Sequence, residues 1–139
     1  RSEDLKARLQ ALDEAYRLAL RDFAGRELIL GGHAAFAYLA RRYGLVQTSL
    51  YGASPDAVPT PKTMAEIVVR ARRIGAKTIF YEPGVGDKMA RLVAAEIGAD
   101  VRLLHPGHNI SPGQAEAGFT FFRLMEDNLE ALRHGLSRR

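Results

Sequence analysis

Apolar residues recur along the first stretch of the chain at Leu5, Leu9, Leu12, Tyr16, Leu20 and Phe23. Gaps of three and four lay these side chains along one face of a helix. Ser2, followed by Glu3 and Asp4, is placed to cap its start and to put negative charge in the first turn. Gly25 ends it. The run from Glu27 to Gly32 then reads as a short buried strand. A second helix follows His33, with Phe36, Leu39, Ala40 and Tyr43 facing inward, and stops at Gly44. Val46 to Tyr51 repeats the strand pattern and leads into a loop from Gly52 to Pro59. Thr60 caps the next helix, Pro61 occupies its first turn, and Met64, Ile67, Val68, Ala71 and Ile74 form its stripe before Gly75. Lys77 to Tyr81 is a third strand. Met89, Leu92, Val93 and Ile97 mark a helix closed by Gly98, and Val101 to Leu104 is a fourth strand. Phe122, Met125, Leu129, Leu132 and Leu136 mark the last helix.

Four strands alternating with helices make β-α-β units, whose right-handed crossovers require a parallel sheet with helices on both faces. The fold class is α/β. A length of 139 residues suits one domain. Absence of cysteine excludes disulfide frameworks, thiolate metal sites and cysteine nucleophiles. No apolar run approaches the roughly 18–20 residues of a membrane span. The net charge of +4 is a weak basic lean, and the pairs Arg41-Arg42, Arg72-Arg73 and Arg138-Arg139 are scattered. They read as solvated helix faces, so no nucleic-acid partner is expected. The chain starts at Arg1, directly in a helical pattern, and is expected to be a processed chain or a piece of a longer one.

In open parallel sheets, ligands bind beyond the carboxyl ends of the strands. Strand one ends at His33, strand three at Glu82-Pro83-Gly84 and strand four at His105-Pro106-Gly107-His108. Three of the four histidines therefore fall on one edge, beside a carboxylate. The fourth, His134, lies in the last turn of the final helix, where a cation suits the dipole. His33, His105 and His108 are candidate metal ligands, imidazole being a common zinc donor. The same groups would also serve as a general acid/base pair, and spacing does not choose between the two. Gly31-Gly32 is a weak candidate for an anion-binding turn. No dinucleotide fingerprint or Walker-type lysine is present, and the serines lack a nucleophile-elbow context.

The stretch His33-Ala34-Ala35-Phe36-Ala37-Tyr38, continuing through Arg42-Tyr43-Gly44-Leu45, resembles the "His-x-Ala-Phe-x-Tyr … Tyr-Gly-Leu" segment of a known family. These are the zinc- and manganese-binding solute-binding proteins of ABC importers, the ZnuA/TroA-like proteins. Ile79-Phe80-Tyr81-Glu82-Pro83 is similar to that family's "Ile-Phe-x-Glu-Pro" strand end. Asn109, the segment Met125-Glu126-Asp127-Asn128-Leu129 and the spacing of Pro59 and Pro61 also agree with it.

The resemblance implies a half-molecule. Family members have two α/β lobes joined by one long helix, with the metal held between lobes by two histidines from the first lobe and two ligands from the second. Residues 1–24 would be the end of the connecting helix and residues 25–139 the C-terminal metal-binding lobe, the first lobe being absent. His33 matches the family's third ligand. The fourth is usually an aspartate in a "Leu-Asp-Pro" context, where this chain has Leu104-His105-Pro106. Either His105 coordinates in place of the carboxylate, or His108 does, or water completes the site. A histidine there favours zinc over manganese, the alternative cargo. Glu82 is expected to support a ligand or the fold rather than to bind metal. The implied protein is not an enzyme. It is a periplasmic or extracytoplasmic lipoprotein that passes its ion to an ABC importer permease, and two copies meeting edge to edge would make a dimer with shared ligands. Two other readings are a small α/β enzyme with His33 as general base beside Glu82, and a structural or adhesive lobe.

Overall fold

In the computed structural model, which describes residues 1–52, 58–108 and 110–137, the apolar runs form four strands. They are β1 (Glu27–Leu30), β2 (Val46–Ser49), β3 (Thr78–Tyr81) and β4 (Asp100–Leu103). All pair in parallel, in the order β2-β1-β3-β4. Glu27 stands opposite Val46, Leu30 opposite Phe80, and Thr78 opposite Asp100. The helices are α1 (Ser2–Leu20), α2 (Ala37–Arg42), α3 (Pro61–Arg73), α4 (Lys88–Ile97), α5 (Pro112–Glu116) and α6 (Phe121–Ser137). A short 3-10 turn, Arg21–Phe23, follows α1.

Alternation along each strand divides the core between two faces. On one, Leu28, Leu30 and Phe80 meet Tyr16 and Leu20 of α1, Ala40 of α2 and Leu132 and Leu136 of α6. On the other, Ile29 and Ile79 meet Ile67, Val68 and Ala71 of α3 and Ala90, Val93 and Ala94 of α4. Each fully buried large side chain contributes about 1.5–3 kcal/mol over its exposed state.

Thr60 caps α3 as its sequence predicts, its hydroxyl accepting from the Thr63 N–H at 3.2 Å. Several expectations differ in detail, among them Leu92 and Ile74, predicted in apolar stripes but 50% and 39% exposed. Ser2 is the first residue of α1 rather than its cap; Arg1 holds the cap position, with no side-chain cap bond. The stripe on α1 is covered only in its second half. Leu5 and Leu9 are 49% and 42% exposed, whereas Tyr16 is buried and its hydroxyl donates to the Met125 carbonyl at 2.6 Å. Finally, α2 begins four residues past His33, because the chain beyond β1 first turns at Gly31 and Gly32. The short helix α5 is additional. Its Ser111 and Gln114 form a reciprocal capping box. The predicted Gly52–Pro59 loop falls in part on residues 53–57, outside the described residues, as do Asn109, Arg138 and Arg139.

Candidate metal site

β1 and β3 are neighbours, but the strands that follow them lie on opposite sides: β2 beyond β1, β4 beyond β3. The chain therefore leaves the two central strands in opposite directions, and their carboxyl ends form a switch point, the place where open parallel sheets bind ligands. Gly31 makes the close packing here. Its N–H donates to the Phe80 carbonyl at 2.8 Å, and a Cβ at this position would lie 2.5 Å from the Ala90 Cα.

His33 and Glu82 meet at this switch point, 49 residues apart in sequence. One carboxylate oxygen of Glu82 accepts from the His33 backbone N–H at 3.0 Å and lies 2.9 Å from the ring Nδ1. Glu82 is only 7% exposed. An ionised carboxylate only accepts, so in the neutral imidazole Nδ1 carries the proton and Nε2 keeps its lone pair. That Nε2 is buried and has no hydrogen-bond partner among the described residues. A buried polar atom left unpaired costs about 1–3 kcal/mol, so it is a fit place for a ligand. The Tyr51 ring lies against the imidazole, centroid to centroid at 5.0 Å.

The end of β4 is organised differently. His105 is buried, its N–H donating to the Asn128 Oδ1 at 2.7 Å and its carbonyl accepting from the Asn128 Nδ2 at 2.6 Å. The Gly107 N–H donates to the His105 Nδ1 at 3.0 Å. An accepting Nδ1 leaves the ring proton on Nε2, which is buried and lacks a partner among the described residues. Burial, and then the neighbouring His108, push the His105 pKa below the ordinary histidine value, so the ring is held neutral. His108 is exposed.

The three predicted histidines therefore fall into two groups: His33 with Glu82, and His105 beside His108. Among the described residues, no set of three or more His, Asp or Glu side chains converges to hold a metal. His134 stands apart at the carboxyl end of α6, 3.8 Å from an Asp100 oxygen. Asn128 is the residue whose role sequence reasoning missed. A signal was there: it is the one polar member of the buried four-residue spacing Leu124, Asn128, Leu132, Leu136 on α6.

The family model "Zinc-uptake complex component A periplasmic", ZnuA, matches residues 1–135. The high-affinity zinc uptake system protein ZnuA of Bacillus subtilis (strain 168) is 34% identical over 135 residues, which is 97% of this chain and 42% of that protein. The zinc-binding protein AdcA of Streptococcus pyogenes serotype M1 is 36% identical over 126 residues, 91% of this chain and 24% of its own length. Solved structures agree. The laminin binding protein Lmb of Streptococcus agalactiae, a bifunctional protein with adhesin and metal transporting activity, superposes with a TM-score of 0.83 at 31% identity, covering 96% of this chain and 50% of that one. The Zn(II)-bound ZnuA-like domain of Streptococcus pneumoniae AdcA gives 0.73 at 32% identity, covering 94% and 48%. The chain thus spans half or less of the length of these relatives.

Proposed function

Because the chain belongs to the ZnuA family of periplasmic zinc-uptake components, we propose that it is a zinc-binding lobe of an extracytoplasmic receptor serving an ABC importer. The observation that carries this reading is the His33–Glu82 pair, which leaves a buried imidazole Nε2 with its lone pair free and unpartnered. A carboxylate on the far nitrogen fixes the tautomer, orients the ring and raises its basicity toward a metal. Zinc is cargo here, so the activity is binding and release rather than turnover. ZnuA of Bacillus subtilis and AdcA of Streptococcus pyogenes are zinc-uptake and zinc-binding proteins, and the importer permease is the proposed recipient.

His108 is favoured over His105 as the second ligand from this lobe. The neutral His105 ring has its Nδ1 occupied by the Gly107 N–H and its Nε2 protonated, whereas His108 is exposed and uncommitted by any described hydrogen bond. Donors of imidazole type favour zinc over manganese. ZnuA of Bacillus subtilis and AdcA of Streptococcus pyogenes are more than twice as long as this chain, so further ligands are proposed to come from a preceding lobe. Alone, this chain then binds weakly, or two copies share one ion.

Competition with a chromophoric chelator, on the protein and on His33→Ala, tests the proposal. Zinc binding that drops at least about tenfold in the variant supports it, and one zinc per two chains indicates ligand sharing. Equal titrations of the two proteins remove His33 from the site. The same His–carboxylate pair would also suit a general base, and substrate turnover that chelators leave untouched would favour that reading instead.

A further inference from the structure

We propose that Asn128 is a positioning residue that decides which histidine beyond β4 is presented to the metal. This rests on the zinc reading above. Asn128 is 3% exposed on a helix face otherwise built from Leu124, Leu132 and Leu136, and both ends of its amide bond to His105, the Nδ2 also reaching the Met125 Sδ at 3.9 Å. The side-chain amide acts there as a neighbouring strand would. The last ladder bond of β4 runs from the Leu104 N–H to the Tyr81 carbonyl at 2.8 Å, and Asn128 continues the pairing one residue further.

The fixed His105 backbone sets the geometry of the loop beyond it. Gly107, whose N–H donates back to the His105 Nδ1, adopts a φ of +87°, open to glycine but strained for other residues. The turn is seated on the same helix face: a Cβ on Gly107 would lie 3.3 Å from the Met125 Cε and 3.5 Å from the Phe121 ring. Phe121, Met125 and Asn128, spaced at four and three, thus hold the loop at His105 and Gly107. Met125 is itself tied to α1 through the Tyr16 hydroxyl. The result is a division of labour. His105 is turned inward with its ring committed to its own loop, and His108 is left outside.

Nitrogen-15 NMR of the histidine rings in zinc-free protein reads this device directly, alongside zinc affinity, in the wild type, Asn128→Leu and Gly107→Ala. In the wild type, His105 carries its proton on Nε2 and His33 on Nδ1. Asn128→Leu is expected to move His105 into a mixture of tautomers and to weaken zinc binding about tenfold, with the His33 tautomer unchanged. Gly107→Ala, which displaces the donor to Nδ1, is expected to do the same and serves if Asn128→Leu does not fold. A residue with a merely structural role would lower the melting temperature without moving the His105 nitrogen shifts well below the melt. Variants that keep both the His105 tautomer and wild-type affinity overturn the proposal. A wild type that binds no zinc, while the variants still shift the His105 tautomer, overturns the zinc reading and leaves the clamp supported.

Discussion

At the carboxyl ends of the strands, residues 31–36, 82–87 and 104–108 contain no lysine or arginine. At the amino ends, Arg26, Arg72, Arg73 and Lys77 line a single cleft of about 660 Å³. The positive charges there have local work. Arg26 lies 5.1 Å from the Phe23 ring and donates to the Leu136 carbonyl near the end of α6. Arg72 donates to the Glu96 carbonyl at 2.5 Å, near the end of α4, and Arg70 closes on the buried Glu27 at 2.7 Å. Cations at helix carboxyl ends answer the negative end of the dipole. The opposite edge carries imidazoles and one buried carboxylate, Glu82. A fixed guanidinium there would repel a divalent ion, whereas a neutral imidazole receives it. Arg26 and Arg72 thus serve helix ends at the edge of the sheet opposite His33 and Glu82.

Each end also depends on one glycine of close approach, which gives the largest expected effects. Gly31→Ala sets a Cβ 2.5 Å from the Ala90 Cα, where backbone meets backbone and neither side gives; a loss of about 3 kcal/mol is expected in urea unfolding. Gly135→Ala sets its Cβ 2.5 Å from the Phe80 ring. An aromatic ring can tilt, and alanine regains roughly 1 kcal/mol of helix propensity, so a net cost of about 1–2 kcal/mol is expected. A costlier Gly135→Ala would show that the amino end, not the site edge, is the rigid one.

Glu82→Gln comes next. It keeps size and an accepting oxygen but removes the charge that holds the proton on the His33 Nδ1. Zinc affinity is expected to fall about 10–100-fold, with unfolding free energy changed far less. Unchanged affinity would reduce Glu82 to a structural partner of the His33 backbone N–H.

How much of the fold is legible in the sequence depends on how local each feature is. The change from a period of 3.6 to short apolar runs, punctuated by Gly25, Gly44, Gly75 and Gly98, is local, and it yields the element order and the α/β class. The edge rule then brings His33, Glu82, His105 and His108 to one end of the sheet before any partner is known. Pairing is not local. That Glu82 closes on His33 depends on β1 and β3 being neighbours, and that Asn128 clamps His105 depends on α6 returning across β3 and β4. Periodicity also cannot say how much of a stripe is covered, which is why Leu5 and Leu9 stand exposed on a helix whose later turns are buried. α5 escapes for another reason: five residues carry no apolar stripe, and only the Ser111–Gln114 spacing announces it.

The site edge should also respond to pH through His105. Folding lowers the His105 pKa, by burial first and by His108 second. Sign follows from proton counting: below the ordinary value near 6.5 the unfolded chain takes up a proton that the folded protein refuses. This contribution is therefore fully present above about 6.5 and is lost as pH falls through the folded value. Urea midpoints measured from pH 7.5 down to 5 are expected to decline, and His105→Asn is expected to flatten that decline. A parallel decline in the variant would assign the pH dependence to other groups.

The smallest expected effect tests whether the two ends are electrostatically separate. Arg73→Glu with Lys77→Glu reverses two charges in the amino-end cleft and takes the net charge from +4 to 0. The four residues of β3 hold that cleft roughly 13 Å from the site edge, at about 3.3 Å per residue. This exceeds the Debye length of about 8 Å at physiological ionic strength, so zinc affinity is expected to change by less than about twofold there. At low salt screening is weaker, and the double variant should then bind zinc more tightly than the parent, since repulsion from the distant cations has been removed. A large change at physiological salt would mean that the charged residues of the amino end set the potential at the imidazoles through the low-dielectric sheet between them. The placement of arginine and lysine would then tune zinc affinity as well as serve the helix ends.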